Sequence, residues 1–484
     1  MTASEAIDAS VPEPHLLPEA GLKSGALHAF DTIIMALAGS APAYSLAATT
    51  PILVAAAGLY GPASLLWCAI PMLGIAVAFN YLGKIDVHAG ATYSWVARSL
   101  HPVLGFFAGW SLVVSATIFM VAGSLPAGAY TLSLFSRAAA NNTWASVGVG
   151  AFVFLIMAFL VLRGVTITAK AQWIMTGIEV SILAVFGVAA LIHGGSAASF
   201  SWSWFWGWGH FGGMSGFAAG ALVAAFYFWG WDVTANLSEE THDSEKNSGA
   251  GGLIGVVGVF ILFEVFTVAI NMMFSSQHIQ NSPNLLSDLG NLVAPNWGGK
   301  LLVLAVMLST IATLETTLIQ VTRTLFAMGR DHTLPAAFGR THERWQTPWL
   351  AVLVVSAVSL ALFVASTKLG SLSSIMTDAI DAIGLQICIY YALAGIAVVV
   401  AYRRVAFKSI KGAILVGIWP GGGALFMLFL LVQSCFGPNR LTGAQIGIGL
   451  GAVAIGIVPM AYYWARGTRW FRDPGSKLVA EEAI

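Results

Sequence analysis

Acidic residues inside long apolar stretches are the side chains of this sequence best suited to chemistry. The carboxyl groups in question belong to Glu179, Asp232, Glu264, Glu315, Asp378 and Asp381. A charge at the centre of a membrane-spanning helix costs about 3 kcal/mol on insertion scales. Because no Lys or Arg lies clearly at the same depth, the cheapest state for these buried acids is the neutral, protonated one. Such groups suit proton transfer or the binding of a cation.

Two of the helices that must position these acids are interrupted. The first apolar stretch, 28–58, contains the break 38–45 with Pro42, and the stretch 215–237 contains Phe228-Trp229-Gly230-Trp231-Asp232. Proline lacks an N–H and glycine weakens a helix. Interrupted membrane helices persist only where the freed backbone is buried in protein or lines a cavity, and in secondary transporters they form the substrate site. The pair of breaks therefore indicates transport.

Composition restricts the class of protein. The chain has 484 residues, of which 57% are hydrophobic and only 9% charged, whereas a soluble protein carries about 25% charged residues. An integral membrane protein is expected, and the net charge of zero suggests no nucleic-acid partner. The zinc-protease, nucleophile-elbow and phosphate-loop motifs are missing from the sequence, so neither an enzyme nor an organic cofactor or metal site is expected.

Hydropathy predicts twelve membrane-spanning helices, since about twenty apolar residues cross a bilayer. The predicted spans are 28–57, 61–83, 102–135, 144–163, 168–193, 215–238, 250–275, 298–329, 347–366, 372–402, 412–434 and 443–466. With both termini in the cytoplasm, the inner side collects all 22 Lys and Arg residues except Arg137, Lys300, Lys368 and Arg440. This excess of positive charge predicts that orientation, in the plasma (inner) membrane.

The interrupted helices are the first and the sixth, so five spans separate their starts. If each interrupted helix begins a repeat unit of five spans, the odd number of spans places the second unit in the membrane with the opposite orientation. The sequence therefore predicts an inverted repeat of five plus five helices, with two helices appended. The predicted units are a disordered cytoplasmic tail 1–26, a first repeat 27–195, a second repeat 196–403, helices eleven and twelve at 404–466, and a cytoplasmic tail 467–484.

With this architecture the chain resembles the amino acid–polyamine–organocation (APC) superfamily of permeases over nearly its whole length after residue 22. The resemblance rests on three motifs in order: His88-Ala-Gly-Ala-Thr-Tyr93 with Gly105-Phe-Phe-Ala-Gly-Trp110, Phe226-Tyr-Phe-Trp-Gly-Trp-Asp232 with Asn236-Leu-Ser-Glu-Glu240, and Arg323-Thr-Leu-Phe-Ala-Met-Gly-Arg-Asp-His-Thr-Leu-Pro335 with Thr347-Pro348. It implies a substrate site at the two breaks, formed by Ser40, Ala41, Pro42, Ala43, Tyr44, Phe226, Trp229, Gly230 and Asp232.

The chain departs from the family at the first break. Members that carry α-amino acids usually have a Gly-x-Gly there, and those positions align with Pro42-Ala43-Tyr44. Glycines let backbone N–H groups approach a carboxylate, whereas Pro42 removes one donor and Tyr44 adds a phenol ring.

Glu179 and Glu315 are the candidates for coupling to an ion. The resemblance places Glu179 on the fifth helix facing helices one and eight, where some proton-coupled relatives carry an amine and sodium-coupled carriers bind an ion. Glu179 either titrates or holds a cation there, or is a protonated acid bonded to a neighbouring helix. On the eighth helix, near Glu315, hydroxyl groups suit sodium or ordinary hydrogen bonds between helices; they belong to Ser309, Thr310 and Thr313.

Asp232 and the aromatic residues of the second break have two readings each. Asp232 either caps the second half-helix or binds an amine or proton. The resemblance implies a gate role for Phe226 and a wall role for Trp229, although buried aromatics are usually packing residues. An aromatic face beside an acid suits an ammonium group.

Together these features predict a secondary active amino acid transporter that works by alternating access, with a proton as the expected coupling ion and sodium as the less favoured one. A cationic amine or polyamine permease and an amino acid exchanger are the alternatives. The expected partners are a small-molecule substrate and the lipid bilayer, and the sequence leaves the oligomeric state open.

Overall fold

The computed structural model describes residues 21–195, 197–368 and 372–480. Most of the predicted N-terminal tail (1–20) and the end of the C-terminal tail (481–484) lie outside these ranges. In the described ranges all regular structure is helical, and the only β contact is an isolated bridge between Leu27 and Thr241.

The first half of the chain, up to residue 195, contains seven labelled helices. In chain order they are α1 (Ala29–Gly39), α2 (Pro42–Ala57), α3 (Gly61–Ile85), α4 (Thr92–Ser99), α5 (Pro102–Ser133), α6 (Thr143–Arg163) and α7 (Val165–His193). The helix α4 is too short to span a bilayer and buries its apolar face.

The second half begins with a helix that is interrupted like the first. Its helices are α8 (Met214–Tyr227), α9 (Val233–Asn236), α10 (Ser244–Met273), α11 (Leu285–Val293), α12 (Gly298–Arg330), α13 (Trp349–Ser366), α14 (Leu372–Ala401), α15 (Trp419–Phe436), α16 (Gly443–Ile455) and α17 (Ile457–Ala465). Short helices cover Arg137–Ala140, Ser203–Trp206, Ser276–Asn281 and Ile410–Gly412, and a π-helix at Ala413–Ile418 leads into α15.

Ten helical stretches of the described chain are long and apolar enough to cross a membrane. One of them is the stretch Ala29–Ile85, which contains α1, α2 and α3, while α8 is a shorter apolar helix. Length and composition therefore define an all-helical, multi-pass membrane protein.

The two interrupted helices touch each other at their breaks. A Cβ atom built on Gly39 would overlap the carbonyl oxygen of Gly230, and one built on Gly230 would overlap the carbonyl oxygen of Gly39. Gly230 also has a φ of +96°, a conformation that residues with a Cβ rarely adopt. The breaks are therefore packed backbone to backbone.

Helix α12 supports this crossing. It packs against α1, α2, α5 and α7, and its residues from Thr313 to Gly329 are all buried. A helix buried on all sides in this way provides polar side chains for neighbours whose own backbone hydrogen bonds are interrupted.

The end of the molecule at which the described chain begins, at residue 21, and ends, at residue 480, is closed by ion pairs. The guanidinium of Arg323 donates two hydrogen bonds, of 2.9 and 3.0 Å, to the carboxylate of Glu240, and both side chains are fully buried. Next to this pair, Arg330 donates to both carboxylate oxygens of Glu239, which also accepts from the backbone N–H of Ala89. Burial opposes the ionisation of Glu239, but the hydrogen bonds and charge of Arg330 outweigh it and hold the pKa of that carboxyl group below its usual value.

The described part of the C-terminal tail lies across the same end. Arg98 donates to the backbone carbonyl of Ser476, the backbone N–H of Ala480 donates to Ala401, and the ring of Trp470 stacks on that of Tyr93 at 4.6 Å. The tail thus joins α4 to the end of α14.

We expect Gly39→Ala to destabilise the protein because its methyl group would overlap the Gly230 carbonyl. Overpacking of a filled interior costs about 1–3 kcal/mol, and the apparent Tm of the detergent-purified protein should fall. Gly177→Ala is the matched control, since Gly177 is also helical and nothing lies within 4 Å of its Cβ position. Equal Tm values for the two variants would contradict the backbone contact.

We expect Arg323→Met to be more damaging than Arg330→Met. Removing Arg323 leaves the carboxylate of Glu240 buried without a partner, which costs about 3–5 kcal/mol, whereas the Arg330 side chain is 36% exposed and its ion pair is worth about 1 kcal/mol or less. Thermal unfolding of the two variants in the same detergent measures the difference. A larger loss for Arg330→Met would mean that the half-exposed pair is the more important one.

Candidate functional site

The carbonyl groups freed at the first break find partners within the protein. Thr313 on α12 donates a 2.9 Å hydrogen bond to the carbonyl oxygen of Gly39, and the hydroxyl of Ser45 donates to the carbonyl of Ser40 at 3.1 Å. Ala41 joins the two half-helices with a left-handed φ of 49°. The backbone at this break is therefore buried and hydrogen-bonded, as a membrane interior requires.

The N–H groups in the first turn of α2 are also accounted for. Pro42 has none, Ala43 donates to the Glu179 carboxylate at 2.9 Å, and Tyr44 donates to the Ser309 hydroxyl at 3.1 Å. The N–H of Ser45 donates to the carbonyl of Ala41 at 2.8 Å. Side chains from α7 and α12 thus occupy the start of this half-helix.

Glu179 and Glu315 lie on the two helices that flank the first break, but only Glu179 contacts it. Glu179, on α7, is fully buried. Glu315, on α12, accepts a 2.6 Å hydrogen bond from the side-chain amide of Gln172, which also donates to the carbonyl of Ala312. The Gln172 contact therefore joins α7 to α12 beside the break.

Asp232 follows the second break and is joined to α14 by a chain of hydrogen bonds. The indole N–H of Trp229 donates to the hydroxyl of Tyr390 at 2.6 Å, and that hydroxyl donates to Asp232 Oδ2 at 3.0 Å. Asp232 makes no capping hydrogen bond to α9. Its other oxygen, Oδ1, is buried without a well-formed hydrogen bond, and the side chains of Tyr391 and Gln320 lie close to the carboxyl group. Oδ1 therefore keeps the capacity to accept a hydrogen bond from a ligand.

An aromatic cluster lies between the two breaks. The ring of Phe119, on α5, contacts those of Tyr44, Phe226 and Trp229, with centroids 5.6–6.3 Å apart. The edge-to-face contacts with Tyr44 and Trp229 are the favoured geometry for aromatic pairs. Phe226 and Trp229 are also in contact, at 6.2 Å.

The residues predicted at the breaks are all buried around the Gly39–Gly230 contact. Sequence reasoning missed Phe119, Gln172 and Tyr390, which come from α5, α7 and α14. Only Tyr390 left a signal, because the pair Tyr390-Tyr391 places two phenol groups within an apolar span.

The proposed sodium ligands are engaged in other hydrogen bonds. Thr310 donates to the carbonyl of Val306, Thr313 donates to Gly39, and Ser309 accepts from Tyr44. In the described parts of the chain, no three His, Cys, Asp or Glu residues are grouped as metal ligands would be.

Glu264 and Asp381 make no hydrogen bond to the residues of either break. Both carboxyl oxygens of Glu264, on α10, lack a hydrogen-bond partner. Asp381 accepts a 2.7 Å hydrogen bond from Gln445 and lines a cavity of about 220 Å³ between α2, α8, α14 and α15. Asp378 lies close enough to interact electrostatically with Asp381.

A multi-pass helical membrane protein with two contacting helix interruptions, buried acids and a central aromatic cluster has the features of a transporter. The family model described as amino acid permease matches residues 27–458, which include every labelled helix except most of α17. The chain belongs to this permease family, and it is not an enzyme.

Relatives with assigned activities are similar over much of their length. The low-affinity putrescine importer of Escherichia coli is 24% identical over 431 residues, which cover 85% of this chain and 87% of the relative. The branched-chain amino acid permease of Bacillus subtilis is 22% identical and covers 75% of this chain and 78% of the relative. The serine/threonine exchanger of the same organism is 26% identical over 49% of this chain and 54% of its own.

We expect Tyr390→Phe to destabilise the protein by about 1–3 kcal/mol, because it leaves the N–H of Trp229 and a carboxyl oxygen of Asp232 buried without partners. Tyr391→Phe is the comparison on the same helix, since the hydroxyl of Tyr391 lies close to Tyr390 and Asp232 but makes no well-formed hydrogen bond. Thermal unfolding in detergent compares them. Equal losses would mean that the Trp229–Tyr390–Asp232 chain contributes no more to stability than the Tyr391 hydroxyl does.

Proposed function

We propose that the protein is a secondary active transporter of an amino acid or amine that works by alternating access. The observation that carries the proposal is the contact between two helix breaks at Gly39 and Gly230, with Glu179 and Asp232 buried on either side. In transporters with interrupted helices, substrate binds at such breaks near the middle of the membrane. The residues predicted from sequence at the two breaks form the proposed substrate site.

The proposed topology has twelve spans. The stretch Ala29–Ile85 counts as two of them, the interrupted α8–α9 as one, and the other nine candidate helices complete the number. The first five spans and the next five then form an inverted repeat, with two helices appended. The excess of Lys and Arg on one side supports cytoplasmic termini in a plasma membrane.

A proton is the coupling ion we favour, and Glu179 is its proposed carrier. The ionised carboxylate of Glu179 attracts the positive N-terminal end of α2 and so holds α2 against α7. Protonation removes that attraction and leaves α2 freer to move during transport. Sodium is less favoured at this position because the N–H groups of Ala43 and Tyr44 point towards Glu179 and Ser309, and their dipoles would repel a cation.

The substrate is proposed from the relatives and from the site. One relative is a putrescine importer, another a branched-chain amino acid permease and a third a serine/threonine exchanger. All three substrate groups carry an ammonium group, which suits the free oxygen of Asp232 and the aromatic cluster.

The test is uptake of labelled putrescine, leucine and serine into proteoliposomes with an inward proton gradient. We expect at least one compound to accumulate, and the collapse of the gradient by an ionophore to abolish accumulation. In Glu179→Gln, binding should persist while accumulation falls at least about tenfold. Glu264→Gln is the control, because neither carboxyl oxygen of Glu264 makes a hydrogen bond to the break.

Accumulation by Glu179→Gln at the rate of the unchanged protein would contradict its coupling role. Uptake that requires internal substrate and ignores the proton gradient would identify an exchanger. No uptake of any compound, with or without internal substrate, would contradict the transport of these amines and amino acids.

A further inference from the structure

The start of α2 has no N–H group left for a substrate carboxylate. Transporters with interrupted helices commonly direct a half-helix N-terminus at the anionic group of the substrate. In this chain Pro42 has no N–H group. The N–H of Ala43 donates to the Glu179 carboxylate, and that of Tyr44 donates to the Ser309 hydroxyl. The N–H of Ser45 donates to the carbonyl of Ala41. A carboxylate from outside would have to displace one of these groups.

Glu179 occupies this position as a carboxylate that belongs to the protein itself. Its Oε1 atom lies 2.9 Å from the N–H of Ala43, and its side chain is fully buried. None of the ion pairs in the described part of the chain involves Glu179. Whenever Glu179 is ionised, a second carboxylate beside it would therefore meet like-charge repulsion that no ion-paired cation compensates.

The opposite ends of the half-helices favour a cation. α1 ends at Gly39 and α8 ends at Tyr227, so the negative ends of two helix dipoles meet at the crossing. The Oδ1 atom of Asp232, a residue only 1% exposed, makes no well-formed hydrogen bond, although Tyr391 and Gln320 lie close to this carboxyl group. The indole of Trp229 is linked to the same carboxyl group through the Tyr390 hydroxyl and packs against the ring of Phe119 at 5.6 Å. Aromatic rings near a carboxylate suit an ammonium group.

The geometry points to a substrate that is an amine without a carboxylate on the carbon that bears the ammonium group. Glu179 supplies the carboxylate that a zwitterionic amino acid would otherwise bring, and Asp232 with the aromatic cluster binds the ammonium. This inference rests on the proposed transport function and narrows its substrate to decarboxylated amines, such as diamines, in place of α-amino acids.

The test uses pairs of compounds that differ only in the carboxylate: putrescine with ornithine, cadaverine with lysine, agmatine with arginine, and isoamylamine with leucine. Binding to the detergent-purified full chain is measured from the concentration dependence of the thermal shift. We expect the decarboxylated member of at least one pair to bind about tenfold more tightly or better. Tighter binding of the amino acid in every pair that binds would overturn the inference.

Glu179 variants test the cause of the preference. Glu179→Ala frees the N–H of Ala43, so the preference for the decarboxylated compound should fall at least about tenfold. Glu179→Gln keeps an acceptor for that N–H but removes the charge, and its preference should fall by less. If Glu179→Ala does not fold, Glu179→Gln alone carries the test, and an unchanged preference in it overturns the role of Glu179. Glu264→Gln should leave the preference unchanged.

Uptake into proteoliposomes distinguishes a failure of this substrate preference from a failure of the proposed transport function. Transport of leucine or ornithine without transport of isoamylamine or putrescine would overturn this inference and leave the proposed transport function intact. Neither binding nor uptake of either member of any pair would contradict both.

Discussion

The structure depends on one constraint: a backbone that is interrupted inside a membrane must find its hydrogen-bond partners within the protein. The breaks at Gly39 and Gly230 contact each other directly, which only glycine permits at this distance. Their freed polar groups then require partners from other helices. Thr313 and Ser309 on α12 and Glu179 on α7 provide these partners, so the surrounding helices are positioned by the needs of the first break.

The same constraint gives the centre of the molecule its electrostatic character. The positive end of α2 is neutralised by Glu179, whereas the negative ends of α1 and α8 remain beside the unpartnered oxygen of Asp232. Satisfying the backbone with a buried acid thus produces a site that attracts cations. Under the proposed function, the side chains that support the helix break also select the substrate.

The end of the molecule at which the described chain begins and ends is closed by contacts that converge on the segment after α9. Asn236 donates to Ala89, Glu239 pairs with Arg330, and Glu240 pairs with the fully buried Arg323. Because this segment continues the interrupted helix α8–α9, movement of that helix must separate these contacts before a passage opens at this end. The closed end and the proposed substrate site are therefore joined through one covalent segment.

The sequence by itself determined the class of protein, the places where the helices break and the acids that lie near them. Pro42 and Gly230 are local signals, since each weakens a helix wherever it stands, and an acid in an apolar stretch is equally visible. Only the tertiary structure decided the partners. Ala43 and Glu179 are separated by 136 residues, Trp229 and Tyr390 by 161, and Gln172 and Glu315 by 143. The physical reason is that helix packing brings these groups together, and the apolar residues that direct this packing are interchangeable in a hydropathy pattern.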